Sequence, residues 1–170
     1  MTEKPAPPVT FSRLLDRATR ILAQRDHSEA EFRRKITQSV ARAAAFRPGE
    51  QDEEIPAELL EQVIAWCYEH QWLDDARFAQ RFVASRSRKG YGPQRIRMEL
   101  AQKGIGRELA ASALAEAEID WAAQAFEVAE RKFGLPLPQE WKEKAKVQRY
   151  LQAKGFFMED IQAIFRNYSD

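Results

Sequence analysis

Cysteine is almost absent from this sequence. Cys67 is the only one among 170 residues, so no disulfide can form within the chain and nothing in the residue usage points to a cross-linked, secreted fold. Histidine is nearly as scarce. His27 and His70 lie far apart and cannot combine with a single thiol to build a zinc site, so neither a metal nor another cofactor is expected. No glycine-rich loop ends in Lys-Ser or Lys-Thr, which removes the usual backbone cradle for nucleotide phosphates. No apolar run approaches the roughly 20 residues that span a bilayer. Met1 to Thr10 is polar, holds Pro5, Pro7 and Pro8, and is unlike a signal peptide. A cytoplasmic protein without membrane contact is therefore expected. A surplus of one charge sign is lacking too, since the formal net charge is only +1. No segment sustains the period-two alternation of a half-buried strand, so no sheet is expected.

What is present is helical periodicity. Hydrophobic residues make up 44% of the chain, enough for a packed core, and charged residues 31%. The charged share exceeds the ordinary one of about 25%, which fits helices with well-solvated faces. Phe11, Leu14, Leu15, Ala18, Ile21 and Leu22 share one face at steps of three and four. Ser28 followed by Glu31 is a capping box, so a second helix starts there and presents Phe32 and Ile36. From about Gln38 to Pro56 the pattern fails. With Pro48, Gly49, Glu50, Asp52, Glu53 and Glu54, the segment 38–56 reads as a long acidic loop. Leu59, Leu60, Val63, Ile64 and Cys67 mark a third helix.

Asp74 is the expected cap of a fourth helix, with Phe78, Phe82 and Val83, which stops at Gly90-Tyr91-Gly92. Pro93 suits the first turn of a fifth, where its missing amide costs nothing; Ile96 and Leu100 mark it. Leu109, Ala110, Ala113 and Leu114 mark a sixth, and Asp120 caps a seventh with Trp121, Ala125, Phe126 and Ala129. Trp141, Ala145, Tyr150 and Leu151 belong to an eighth, and Ile161, Ile164, Phe165 and Tyr168 to a ninth. Three corners look alike: His70-Gln71-Trp72, Lys103-Gly104-Ile105 and Lys154-Gly155-Phe156. Each runs from a basic or imidazole residue through a small or polar one to a large apolar one, and an acid follows near the start of the next helix. Any helical hairpin can share this pattern. Nine helices with three such corners nevertheless point to an all-α chain of three tandem three-helix, helix-turn-helix-like modules in an elongated, curved array. The expected divisions are a flexible N-terminus over 1–8, a first module over 9–72, a basic second module over 73–118 and a third over 119–170.

No catalytic set is readable. Cys67 lies on the apolar face of its helix with Val63 and Ile64, where a free cysteine is ordinarily a small buried hydrophobe. His70 is three residues away, but no third group completes a nucleophile and base. His27 precedes a capping box and His70 ends a helix, both ordinary structural places for a lone imidazole. Asp74-Asp75 reads first as a cap, and Glu53-Glu54 as part of a solvated loop. The chain is expected not to be an enzyme.

The near-zero net charge conceals an asymmetry. Between positions 81 and 107 stand Arg81, Arg86, Arg88, Lys89, Arg95, Arg97, Lys103 and Arg107 against the single acid Glu99. A charge run is most often a solvated face. Here arginine, whose planar fork suits phosphate and carboxylate, outnumbers lysine six to two. The cations also straddle a glycine-flanked turn whose amides are expected to be accessible, and Tyr91 is placed to stack on a base or fill a partner's pocket. These nine residues, Tyr91 included, form the candidate site for a polyanionic target. Lys142, Lys144, Lys146, Arg149 and Lys154 form a possible second contact, diluted by Glu140 and Glu143. The bland alternative is lysine stems lying over their own core.

Several segments resemble the RecX family of regulatory proteins: Arg25 to Ile36, Trp72 to Ala79, Arg86 to Leu100 continued by Lys103-Gly104-Ile105, and the ending Met158 to Gln162 with Phe165-Arg166-Asn167, which is like the enterobacterial members. The similarity runs over most of the chain, and the combination is specific where no single piece would be. The resemblance implies three tandem three-helix modules. It also implies a protein that lies in the groove of the RecA nucleoprotein filament, suppresses ATP hydrolysis, strand exchange and SOS co-protease activity, and binds single- and double-stranded DNA. A monomer is expected. Gln71 departs from the family pattern, which often has glycine there. A stand-alone helix-turn-helix DNA-binding protein is the competing expectation, although neither a dimer seam nor a dedicated recognition helix is evident.

Overall fold

The computed structural model describes residues 9–46 and 54–167. The expected flexible segment 1–8, most of the proline- and acid-rich part of the expected loop (Pro48, Gly49, Glu50, Asp52 and Glu53), and Tyr168 lie outside the described residues. Among the described residues there are nine α-helices and no strand: α1 (Phe11–Leu22), α2 (Glu29–Ala45), α3 (Ala57–Glu69), α4 (Asp75–Arg88), α5 (Pro93–Gln102), α6 (Arg107–Glu116), α7 (Trp121–Phe133), α8 (Trp141–Lys154) and α9 (Met158–Asn167). Contacts group the chain into two compact units that meet in sequence between Phe78 and Ala79, inside α4.

In the first unit, Leu14, Ala18 and Leu22 of α1 pack with Phe32, Ile36 and Val40 of α2 and with Val63, Ile64 and Cys67 of α3. Each row advances by three or four residues, so each helix commits one face to the core. The capping box is formed: the Ser28 hydroxyl accepts from the Glu31 amide at 3.2 Å, and the Glu31 carboxylate accepts from the Ser28 amide at 3.4 Å. One expectation fails here. The segment from Gln38 to Ala45 is helix rather than loop, because α2 continues to Ala45. Val40, 7% exposed, extends the Phe32–Ile36 row by one more turn. Ala41 and Ala43 to Ala45 then carry the helix on propensity alone, since alanine is the best helix former yet adds little to an amphipathic pattern.

In the second unit, α5 packs on α6 and α7 on both α8 and α9. Val83, Ile96, Leu100, Ile105, Ala110, Ala113 and Leu114 are buried along α4 to α6. Ala125, Val128, Ala129, Leu137, Val147, Leu151, Phe156, Ile161, Ile164 and Phe165 form one cluster in α7 to α9 and the turn before α8. The expected caps are in place in each unit: Asp74, in the first, accepts from the Arg77 amide at 3.0 Å, and Asp120, in the second, from the Ala123 amide at 3.1 Å.

The three similar corners share one geometry. Gln71, Gly104 and Gly155 have φ of 62°, 80° and 100°. The residue after each returns its amide to a carbonyl five positions back: Trp72 to Cys67 at 2.7 Å, Ile105 to Leu100 at 2.9 Å and Phe156 to Leu151 at 3.1 Å. This left-handed helix end satisfies carbonyls that the terminating helix leaves unpaired. Each accepting carbonyl belongs to a buried core residue. The repeat seen in residue types is thus a repeat of backbone conformation, and Gln71 takes the left-handed form despite its side chain.

Candidate polyanion-binding surface

The basic segment begins on α4, passes the turn at 89–92 and continues along α5. Its one acid organises it. Both oxygens of Glu99 accept from Arg86, Nε to Oε2 at 2.7 Å and Nη2 to Oε1 at 2.7 Å, and Arg95 Nε lies 3.5 Å from Oε1. The forked pair is largely withdrawn from water, with side-chain exposures of 21% for Arg86 and 16% for Glu99. The carboxylate raises the Arg86 pKa further, so this guanidinium keeps its charge.

Tyr91 stands between cations. Arg86 Cζ is 4.1 Å from the ring centroid, Arg95 Cζ 4.3 Å and Lys154 Nζ 4.9 Å. Cations over a tyrosine face are held by the ring quadrupole, by about 0.5–1 kcal/mol each at exposed sites. The turn amides expected to be accessible are in use. Tyr91 donates to the Arg86 carbonyl at 3.2 Å, Gly92 to Lys154 O at 2.8 Å and Gln94 to Gly155 O at 2.9 Å. The last two bonds tie the α4–α5 turn to the α8–α9 turn. The turns touch backbone to backbone: a Cβ on Gly92 would sit 2.5 Å from the Gly155 carbonyl carbon, and one on Gly155 would sit 2.3 Å from Arg95 Cβ. Glycine is required at both positions for this approach. The turn is therefore not open in the way its residue types suggest. The ring and the amides of this turn are engaged inside the second unit, because the α8–α9 turn docks on them.

The remaining cations divide by exposure. Arg88, Lys89, Arg97 and Arg107 are exposed, as is Arg81, and Lys103 is half-buried. Met98, 54% exposed, lies beside Arg97. On α8, Lys142, Lys146 and Arg149 are exposed and Lys144 and Lys154 half-buried. Lys146 pairs with Glu143 at 3.1 Å, and Lys144 Nζ lies 4.7 Å from the Phe165 ring centroid, its stem lying along the core. Lys154 does not stay with the α8 set, since it reaches Tyr91. Sequence reasoning passed over Arg131 and Lys132 at the end of α7. With Lys89, Lys154 and Tyr150 they line one shallow cleft. Their closeness in sequence to Glu127 and Glu130 makes that stretch look neutral, so residue types carried no signal.

The single cysteine is buried, and both histidines have structural partners. Burial pushes the Cys67 thiol up to about 11, the reverse of an activated nucleophile. His70 stacks on Trp66 with centroids 3.9 Å apart, and its Nδ1 lies 2.9 Å from the Trp66 carbonyl oxygen. His27 is buried with Nδ1 2.8 Å from Arg25 O, and burial lowers its pKa. Among the described residues no group of three His, Cys, Asp or Glu side chains is placed to hold a metal ion, and no helix is long and apolar enough to cross a membrane.

Comparison with known proteins gives this arrangement its context. The model of the RecX second three-helix domain matches residues 74–114, and that of the RecX third three-helix domain matches residues 118–165. Regulatory protein RecX of Cronobacter sakazakii is 60% identical over 161 residues, covering 93% of each chain. That of Serratia proteamaculans is 56% identical over 164 residues, covering 92% of this chain and 98% of the relative, and that of Escherichia coli is 54% identical over the full length of both. These relatives are named as regulatory proteins, not as enzymes. The fold is also that of a crystal structure of RecX from Lactobacillus salivarius, with TM-score 0.76, 18% identity, and coverage of 93% of this chain and 96% of that one. A second crystal structure of regulatory protein RecX gives TM-score 0.71 at 23% identity, covering 92% of this chain and 73% of that one. On matches that span half the chain by domain model and the whole of it by identity, this protein belongs to the RecX family of regulatory proteins.

Proposed function

We propose that the chain binds the RecA–DNA filament and restrains it, lowering ATP hydrolysis, strand exchange and the filament's SOS co-protease activity. The observation that carries this reading is a separation of roles within the basic segment of a RecX family member. Arg86 and Arg95 are held by Glu99 and Tyr91, which leaves Arg88, Lys89, Arg97 and Arg107 exposed. In this reading the exposed four meet filament carboxylates or DNA phosphates, joined by Arg81 and Lys103. Arg86, Tyr91 and Arg95 set the geometry of the segment, and Met98 adds an apolar contact beside Arg97. Lys142 and Arg149 supply a weaker second contact. A protein that touches neighbouring RecA protomers would bias the filament toward one state, since a ligand shifts an equilibrium only by its differential affinity for the states. The test is RecA's DNA-dependent ATPase, measured while this protein is titrated in from substoichiometric amounts. Progressive inhibition is expected, and no inhibition at any ratio would overturn the reading.

A further inference from the structure

Arg131 and Lys132 belong to no function assigned so far, yet they complete a cationic cleft. It has a volume of about 200 Å³ and is lined by Lys89, the first residue after α4, Arg131 and Lys132 from the last turn of α7, and Lys154, the last residue of α8, around the Tyr150 ring. No carboxylate lines it. Among the described residues, none of the four cations is paired with an acid.

The bland explanation is that lysine and arginine gather at helix C-termini to offset the helix dipole. Magnitudes decide against it as a complete account. Three helices end here, and each contributes about half a negative charge. That offsets about 1.5 of the four positive charges and leaves a surplus of more than two. The surplus is also positioned. Lys132 Nζ and Lys154 Nζ lie 5.5 and 5.6 Å from the Tyr150 ring centroid, and Tyr150 is itself braced edge-on by Phe133 at 5.5 Å. Side chains ordered before binding lose less entropy when a ligand arrives.

From this we propose that the cleft is a nucleic-acid phosphodiester site, in which Lys89, Arg131, Lys132 and Lys154 hold adjacent backbone phosphates of a single strand. Three of the four are lysines, which act as point charges on phosphate, whereas carboxylate recognition favours the arginine fork. Only Val128 and Tyr150 give the cleft an apolar wall of any size, unlike the mostly apolar pockets that enclose small molecules. The inference deepens the filament reading at one residue, Lys89, but stands on the cleft alone.

The test needs no RecA, so its failure leaves the filament reading standing, and failure of that reading leaves the cleft standing. Fluorescence anisotropy of a labelled single-stranded oligothymidine is followed across a salt series for the wild-type chain, for Lys89→Gln/Lys132→Gln and for Lys89→Arg/Lys132→Arg. Each lost phosphate contact on a single strand lowers the slope of log affinity against log salt by about 0.7, so the glutamine pair should lower it by about 1.4 and weaken binding about tenfold. The arginine pair should bind like wild type, with helix content unchanged in both. Unchanged affinity and slope in the glutamine pair would overturn the proposal. So would an equal loss in the arginine pair, which would make the role one of shape rather than charge. Displacement of the strand by polyglutamate at equal charge concentration would assign the cleft to an acidic protein instead.

Discussion

At the scale of single residues, structural and surface roles separate position by position. Gln71 holds φ at 62° where glycine would be unstrained, and a left-handed non-glycine residue costs about 1–2 kcal/mol. Gln71→Gly should therefore stabilise the first unit, by about 1 kcal/mol after the added freedom of the unfolded glycine is subtracted; the urea midpoint measures it. Glu99 receives the Arg86 fork and the Arg95 Nε. Glu99→Gln should destabilise the second unit by about 1–2 kcal/mol, since charge-assisted hydrogen bonds are lost from a mostly buried pair. Arg88→Ala and Arg97→Ala, at exposed positions, should change stability by less than about 0.5 kcal/mol. His27 gives a pH dependence. Its Nδ1 faces a carbonyl oxygen and so carries the hydrogen, while Nε2 is buried without a partner. Burial lowers its pKa below the ordinary 6.5. Between that lowered value and 6.5 the unfolded chain binds more protons, so this contribution is complete above pH 6.5 and declines as pH falls below it. Compared with His27→Gln, the wild-type chain should lose stability between pH 7 and pH 5. A constant difference across that range would contradict the assignment.

At the scale of elements, the corners were legible and their contacts were not. Residue types alone marked His70-Gln71-Trp72, Lys103-Gly104-Ile105 and Lys154-Gly155-Phe156 as alike, because each left-handed helix end is followed by a large apolar residue, with permissive glycine at two of the three and glutamine at the other. Helix starts at Ser28, Asp74, Pro93 and Asp120 were legible for a similar reason, since caps are local chemistry. The end of α2 was not, because alanines sustain a helix without an amphipathic signature. Nor was the docking of the α8–α9 turn on the α4–α5 turn: nothing local says which of two glycine turns meets the other, 60 or so positions away. That docking is why Tyr91 reads as open in sequence and is enclosed by cations in the fold, and why Lys154 and Lys132 join the basic segment. Gly155→Ala tests it. The added methyl would need left-handed backbone and would sit 2.3 Å from Arg95 Cβ, so a loss of about 3 kcal/mol or more is expected in thermal or urea unfolding. A loss below about 1 kcal/mol would mean that the two turns do not pack in this way.

At the scale of the molecule, two compact units and an uneven charge distribution frame the regulatory role. Phe32 and Phe156 are fully buried, one in each unit. Phe32→Ala should cost about 3–5 kcal/mol and raise amide exchange in α1 to α3 more than in α7 to α9. The charge asymmetry is the stronger functional statement. Eight cations face one acid between positions 81 and 107, while the whole chain carries only +1. The one acid accepts from Arg86 and Arg95 inside the second unit, while Arg88, Arg97 and Arg107 are exposed. The most direct measurement is the inhibition of RecA's DNA-dependent ATPase by the wild-type chain and by Arg88→Ala/Arg97→Ala, at matched folding and over a salt series. The expected result is inhibition by the wild-type chain that weakens with salt, and about tenfold weaker inhibition with a flatter salt response in the variant, at up to about 1 kcal/mol per exposed charge. Equal inhibition by both proteins at every salt concentration would contradict the claim that these exposed arginines engage the filament.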